Sequence, residues 1–265
     1  NYQLSIMNRR CVILYCGWVL VLLVFLRVVL GAAEESSTSA TIPQPGERMT
    51  QTIEGVEFAF RWCPSGIFYY PNDGTLVKFR VEGFWMSETE VTQAQWKAIM
   101  GNNPAHFKSD ETRPVEQVNW YDANQFCEKM SELMQCEATL PNGLQWLYAY
   151  CAGKPFSTEE KNLSAKAWFN KNSEGKTHPV GKLAPNGWGL YDMSGNVWEW
   201  CSECRNYNHR TIRPRSPEQK DTEALHFGGS WYGVSTRLDG EHWRAADWRI
   251  YDVGFRFCFV KEGGL

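Results

Sequence analysis

Four groups of residues in this 265-residue chain are of types that do chemistry. The first is cysteine. Cys63, Cys127, Cys136, Cys151, Cys201, Cys204 and Cys258 lie beyond an N-terminal apolar run that holds Cys11 and Cys16. Thiols make disulfides, and thiolates bind soft metals. Cys201-Ser-Glu-Cys204 has no second pair and no closely spaced histidines beside it, so a tight disulfide loop or two structural thiols is favoured over zinc. The second group is Asp192-Met193-Ser194-Gly195-Asn196-Val197-Trp198-Glu199. Two carboxylates, turn carbonyls and a glycine that permits positive φ are the donors of a hard-cation loop; hydrogen bonding within the loop is the competing reading. The third group is His106, His178, His209, His226 and His242, which form no ligand-spaced set. His226 and His242 are of the type that titrates near neutral pH. The fourth group lies between Ser230 and Gly254, where Trp231, Tyr232, Trp243, Trp248 and Tyr251 interleave with Arg237, Arg244 and Arg249. Trp, Tyr and Arg are enriched at interface hot spots. Trp231 and Phe255 are expected in the core. Tyr232, Arg237, Asp239, Trp243, Arg244, Trp248 and Tyr251 are the expected ligand-binding set. Asp239, Glu241, Asp247 and Asp252 have no fixed spacing that would make them an acid–base pair.

Composition narrows the classes. With 27 Lys+Arg against 30 Asp+Glu, the net charge is −3, and no basic excess exists to meet phosphates; nucleic acid is excluded as a partner. The chain is 43% hydrophobic and 22% charged, as folded domains are. Thirteen Trp, 11 Tyr and 14 Phe alongside 22 Gly and 12 Pro predict a loop-rich fold in which aromatics bury the loops.

The elements that must position these groups start with targeting. Arg9 and Arg10 precede an unbroken apolar run over 11–26; Arg27 and Gly31-Ala32-Ala33 follow. This reads as a secretory signal cleaved after Ala33, with a retained membrane anchor as the alternative. Export to a secreted, periplasmic or cell-surface location is expected, with the membrane touched only through residues 1–33. Residues 34–51 read as a flexible linker and 52–265 as one α+β domain. Within it, alternation predicts strands over 56–62 and 75–86, separated by the turn Pro71-Asn72-Asp73-Gly74. Thr92 caps a helix over Gln93–Met100. Helical spacing of Ala123, Phe126, Cys127, Met130, Leu133 and Met134 predicts a second helix over 121–134, and a third short helix falls at 143–151. Beyond 152, loop chemistry dominates until a terminal strand at 253–260.

Several segments together resemble one family. They are Phe84-Trp85-Met86 with Glu90-Val91-Thr92-Gln93-Ala94-Gln95-Trp96, Arg113-Pro114-Val115 with Val118-Asn119-Trp120, and Leu140-Pro141 with Gln145-Trp146. The most specific are the run from Gly187 to Trp200, then Gly228-Gly229-Ser230-Trp231 and Gly254-Phe255-Arg256. In this order they are similar to the formylglycine-generating enzymes, the sulfatase-modifying factor domain, over about 56–260. That resemblance implies a large, loop-rich variant of the C-type lectin fold. It also implies a structural calcium on the side chains of Asp192 and Glu199 and the carbonyls of Gly195 and Val197.

The resemblance further implies what is missing. Oxidase members bind copper(I) through two cysteines three and eight residues past the Ser of the Gly-Gly-Ser motif. Here those positions are Gly233 and Leu238, and 205–257 holds no Cys, so no copper is expected. The helical bundle of the iron-dependent sulfoxide synthases is also lacking. The expected function is therefore non-catalytic: an exported binding protein presenting residues 231–252 to a protein or glycan ligand. The alternative is an enzyme of the same family with an unidentified oxidative or other reaction. Variable proteins of diversity-generating retroelements belong to this branch, and their diversified residues fall in this same segment. In this fold the first and last strands lie side by side, which suggests a Cys63–Cys258 disulfide, with Cys127–Cys151 the next candidate.

Overall fold

In a computed structural model, residues 42–72, 75–156, 162–206, 212–213, 222–233 and 242–260 are described. Contacts separate residues 1–41 from a unit that begins at Ile42. The fold thus starts earlier than the sequence suggests: β1 (Arg48–Ile53) pairs antiparallel with β2 (Val56–Cys63), taking in residues assigned to the linker. Alternation along β2 buries Phe58 and Phe60 on one side, as a half-buried strand requires. The predicted strand over 75–86 is two strands. β3 (Gly66–Asn72) and β4 (Thr75–Val81) form a separate hairpin, and β5 (Phe84–Ser87) returns to β2.

Among the described residues, three α-helices begin with the same device. In α1 (Gln93–Met100), Thr92 and Gln95 form a reciprocal capping box, and Gly101 ends the helix with φ +79°. Asn119 and Asp122 do the same for α2 (Trp120–Met134), and Asn142 and Gln145 for α3 (Gly143–Tyr150). α2 turns Ala123, Phe126, Cys127 and Met130 into the core.

The chain then builds a second sheet from β7 (Trp198–Asn206), β8 (Ile212–Arg213), β9 (Thr222–Phe227), β10 (His242–Ala245) and β11 (Val253–Gly254). Its order is β10-β9-β7-β11, with β8 paired to β7. The first sheet runs β1-β2-β5-β12-β6, where β6 is Ala138–Thr139 and β12 is Cys258–Phe259. The predicted terminal strand is therefore divided: β11 lies parallel to β7 in one sheet, and β12 lies between β5 and β6 in the other. Phe255 and Phe257, in the crossing, meet Phe126 edge-on at centroid distances of 5.3 and 5.7 Å. Among the described residues, no helix is long and apolar enough to cross a membrane.

The expected cysteine pairings are corrected by this topology. β5 lies between β2 and β12, with Cys63 opposite Phe84 and Cys258 opposite Met86. Two strand spacings of ~4.8 Å put their Cα atoms beyond the ~6.8 Å a bridge spans, and both are buried thiols. Cys127 and Cys151 belong to different core clusters, and no disulfide joins them. Cys201 and Cys204 likewise pack into different clusters, so the C-x-x-C supplies structural thiols. Burial pushes the Cys258 thiol up to about 12, far from a thiolate at neutral pH.

Candidate functional site

Arg256 sits at the centre of a buried charged hub. It is fully buried, and its guanidinium forks onto Glu199, with Nε donating to Oε2 and Nη2 to Oε1, both at 2.7 Å. Its remaining N–H groups donate to the carbonyls of Tyr191 (2.8 Å) and Ser87 (3.2 Å). The Trp146 indole also donates to Glu199 Oε2, at 2.6 Å. Two further acids are buried beside this pair. Glu90 accepts from Asn196 Nδ2 (2.7 Å) and the Val197 amide (3.0 Å), and burial, Asp192 and Glu199 hold its carboxyl well above the ordinary range. Asp192 is 3% exposed. Its Oδ2 accepts from the Gly181 amide at 2.7 Å, while Oδ1 is buried without a hydrogen-bond partner. Burial pushes its carboxyl up to about 6.

Local backbone explains why the loop closes here. Asp192, Gly195 and Asn196 all adopt left-handed φ, of 53°, 79° and 57°. At Gly195, a Cβ would stand 2.2 Å from the Trp168 carbonyl oxygen, so only glycine fits. Asn196 then accepts from the His178 amide (2.9 Å) and ties a second loop to the hub. Asp192 lines a cavity of about 350 Å³ with Tyr150, Lys154, Lys166, Asn186 and Ser194. The expected calcium donors are thus divided. The unpartnered oxygen of Asp192 fits a hard cation, but the oxygens of Glu199 are committed to Arg256 and Trp146. Among the described residues, no three ligating side chains converge on a metal position.

The hub carries the aromatic face. The Asn196 carbonyl accepts from the Trp231 amide (2.9 Å), and Ser173 Oγ donates to the Trp231 carbonyl (2.8 Å). Trp231 is buried as expected, and its indole donates to the Tyr251 carbonyl at 3.2 Å. Around it, Tyr232 and Tyr251 lie at ring distances of 5.5 and 5.6 Å, with Phe107 edge-on at 5.5 Å and His106 6.1 Å from Tyr251. Tyr232 is 66% exposed, Trp248 55% and Tyr251 41%. Arg244 joins this region through Asp252: its Nη1 stands 3.3 Å from Oδ1, and Ser230 Oγ donates to Oδ2 at 3.2 Å.

Not every expected ligand-binding residue reaches this face. Trp243 is part-buried against a core cluster, with the Arg205 guanidinium stacked 4.2 Å from its ring. It alternates with His242 and Arg244 along β10, so it projects from the other side of the sheet. Arg237 and Asp239 lie outside the described residues, as does Leu238. Gly233 donates its amide to Ser230 and carries no side chain to bind copper. His106 and Phe107 are residues that sequence reasoning missed. They come from the loop after α1 and meet Tyr251 and Trp231 only through tertiary packing. Beneath them, Glu116 accepts from the Phe107 amide (2.8 Å), and burial raises its carboxyl.

Known proteins resemble this chain in sequence and fold. A profile of the sulfatase-modifying factor enzyme 1-like domain matches residues 43–260. The chaperone protein LppX of Paenibacillus barcinonensis is 31% identical, over 56% of this chain and 69% of its own. The formylglycine-generating enzyme of Thermomonospora curvata is 32% identical, over 53% of this chain and 52% of its own, so the chain spans about half of that enzyme's length. Among solved structures, Treponema denticola variable protein 1 superposes with a TM-score of 0.69 at 27% identity, covering 81% of this chain and 99% of its own. PvdO from Pseudomonas aeruginosa gives 0.66 at 21% identity, over 83% and 100%, which is a likeness of fold. With the profile spanning both sheets, the hub and the aromatic face, this chain belongs to the sulfatase-modifying factor enzyme 1-like domain family.

Proposed function

We propose that this chain is an exported binding protein that grips a protein or glycan ligand with the face built from Tyr232, Trp248, Tyr251 and Arg244. One observation carries the reading: Tyr232 and Tyr251 stand exposed around the buried Trp231, which hydrogen bonds and neighbouring rings hold in place, and Trp248 is exposed on the same segment. Exposed large apolar side chains grouped together mark interaction sites. Aromatics fixed by packing lose little entropy on binding, which favours affinity. The likeness to a variable protein supports a ligand-binding role for the 231–252 segment, and we extend to it the idea that this segment is diversified. Glycine at 233 and leucine at 238 argue against the thiolate copper chemistry of the oxidase members. In this reading a hard cation seats on Asp192 and stiffens the loop that bears Asn196, while Glu199 remains with Arg256.

Protein and glycan arrays probed with the purified domain test the proposal. Tyr251→Ala and Tyr232→Ala are expected to lower binding at least about tenfold, as hot-spot truncations do. Trp243→Ala, on the other side of the sheet, is expected to leave it intact. Binding that survives both tyrosine substitutions refutes the assignment of this face.

A further inference from the structure

On the same side of β10 as Arg244, β9 and β10 bring together two residues that are far apart in sequence. Antiparallel pairing sets His242 directly opposite His226. Their ring centroids are 6.0 Å apart, and the Trp198 ring lies 5.0 Å from each. His226 is 2% exposed, walled on a further side by Trp200 at 5.6 Å, and its Nδ1 is buried with no hydrogen-bond partner. Buried polar atoms are ordinarily satisfied, so an orphaned imidazole nitrogen beside a second imidazole calls for a ligand.

We propose that His226 and His242 form a two-nitrogen site for a borderline divalent transition ion, namely zinc, nickel or copper(II). Metal–imidazole bonds of ~2.0–2.1 Å place a ring centroid about 3.2 Å from the ion. Two such rings stand roughly 5.2 Å apart at a tetrahedral angle and roughly 6.4 Å apart in line. The observed 6.0 Å falls within that window. Imidazole nitrogens suit these ions, and calcium is the wrong chemistry for them. The Arg244 charge is met by Asp252. No third ligating side chain converges among the described residues, so water completes the coordination. His242 is part-exposed on the edge strand, which gives the ion its way in. The site is separate from positions 233 and 238, and its ligands are nitrogens rather than thiolates.

The test uses tag-free, metal-stripped protein, titrated with Zn²⁺ by calorimetry and with Ni²⁺ or Cu²⁺ by tryptophan fluorescence. One-to-one uptake is expected, with quenching by nickel or copper through the neighbouring Trp198. His242→Ala, at a part-exposed position, is expected to fold normally by circular dichroism and lose affinity at least about tenfold, since even lost support to a metal ligand costs that much. Trp198→Phe is expected to remove most of the quenching and keep the uptake. Tyr251→Ala is expected to keep both, which separates this site from the proposed ligand face. The proposal is overturned by unchanged zinc uptake in His242→Ala and in a folded His226→Gln, by absence of uptake in the parent protein, or by calcium competing at the same stoichiometry.

Discussion

Replacing Arg256 by methionine would test the hub most directly. Met has similar reach and no charge. The variant leaves Glu199 buried without its cation, with only the Trp146 indole still donating to it. Breaking a buried pair from one side costs about 3–5 kcal/mol. The Tyr191 and Ser87 carbonyls each lose a donor, at about 1 kcal/mol apiece. The expected loss is therefore about 5–7 kcal/mol, against a total stability of ~5–15 kcal/mol for a domain. Urea unfolding followed by tryptophan fluorescence measures it. Adding Glu199→Gln removes the stranded charge and should return about 2 kcal/mol or more. A loss under about 2 kcal/mol for the single variant, or a double variant no more stable than the single, would show that Arg256 does not balance this cluster.

Four more outcomes are expected. Gly195→Ala, with φ +79° and a Cβ 2.2 Å from the Trp168 oxygen, should cost at least about 2 kcal/mol in thermal melts. Gly175→Ala, with φ +72° and open space, should cost only about 1 kcal/mol, from backbone strain alone. At Glu116, burial raises the folded-state carboxyl above its ordinary 4.5. Its contribution is present below that value and is lost as pH rises through the raised one, so Glu116→Gln should flatten the decline in urea midpoint as pH rises above 4.5. Calcium at a hundred times its Kd should stabilise the EDTA-stripped protein by about 2.7 kcal/mol, and Asp192→Ala should abolish the effect; equal melts with and without the ion would leave that oxygen to water.

Local signals were read well where one short stretch decides the outcome. Thr92 with Gln95 both begins and caps α1, and the apolar spacing of Ala123, Phe126, Cys127 and Met130 fixes the face of α2. Beyond residue 197, only the terminal stretch was legible as strand, and its division between two sheets was not. β7 pairs with β9 across a register shift between Trp200 and Cys204 and runs parallel to β11, over fifty residues later. The donors of the hub were named one by one as Asp192 and Glu199, yet nothing in their own segment shows that Arg256 would claim Glu199. Trp243 illustrates the same limit. The period of two along His242-Trp243-Arg244 is visible, but the side facing solvent depends on Arg205 of another strand. The Cys63–Cys258 pairing failed for a topological reason, the intervening β5.

The division of the last strand bears on how the protein is made. Val253–Gly254 completes one sheet and Cys258–Phe259 fills an interior place in the other, with Arg256 delivered between them. During synthesis, one sheet waits for residue 254 and the other for residue 259, and the three acids lack their counter-charge until Arg256 emerges. Earlier segments must wait with unpaired strand edges, a condition that invites aggregation and makes chaperone assistance valuable. The keystone of both sheets thus arrives last.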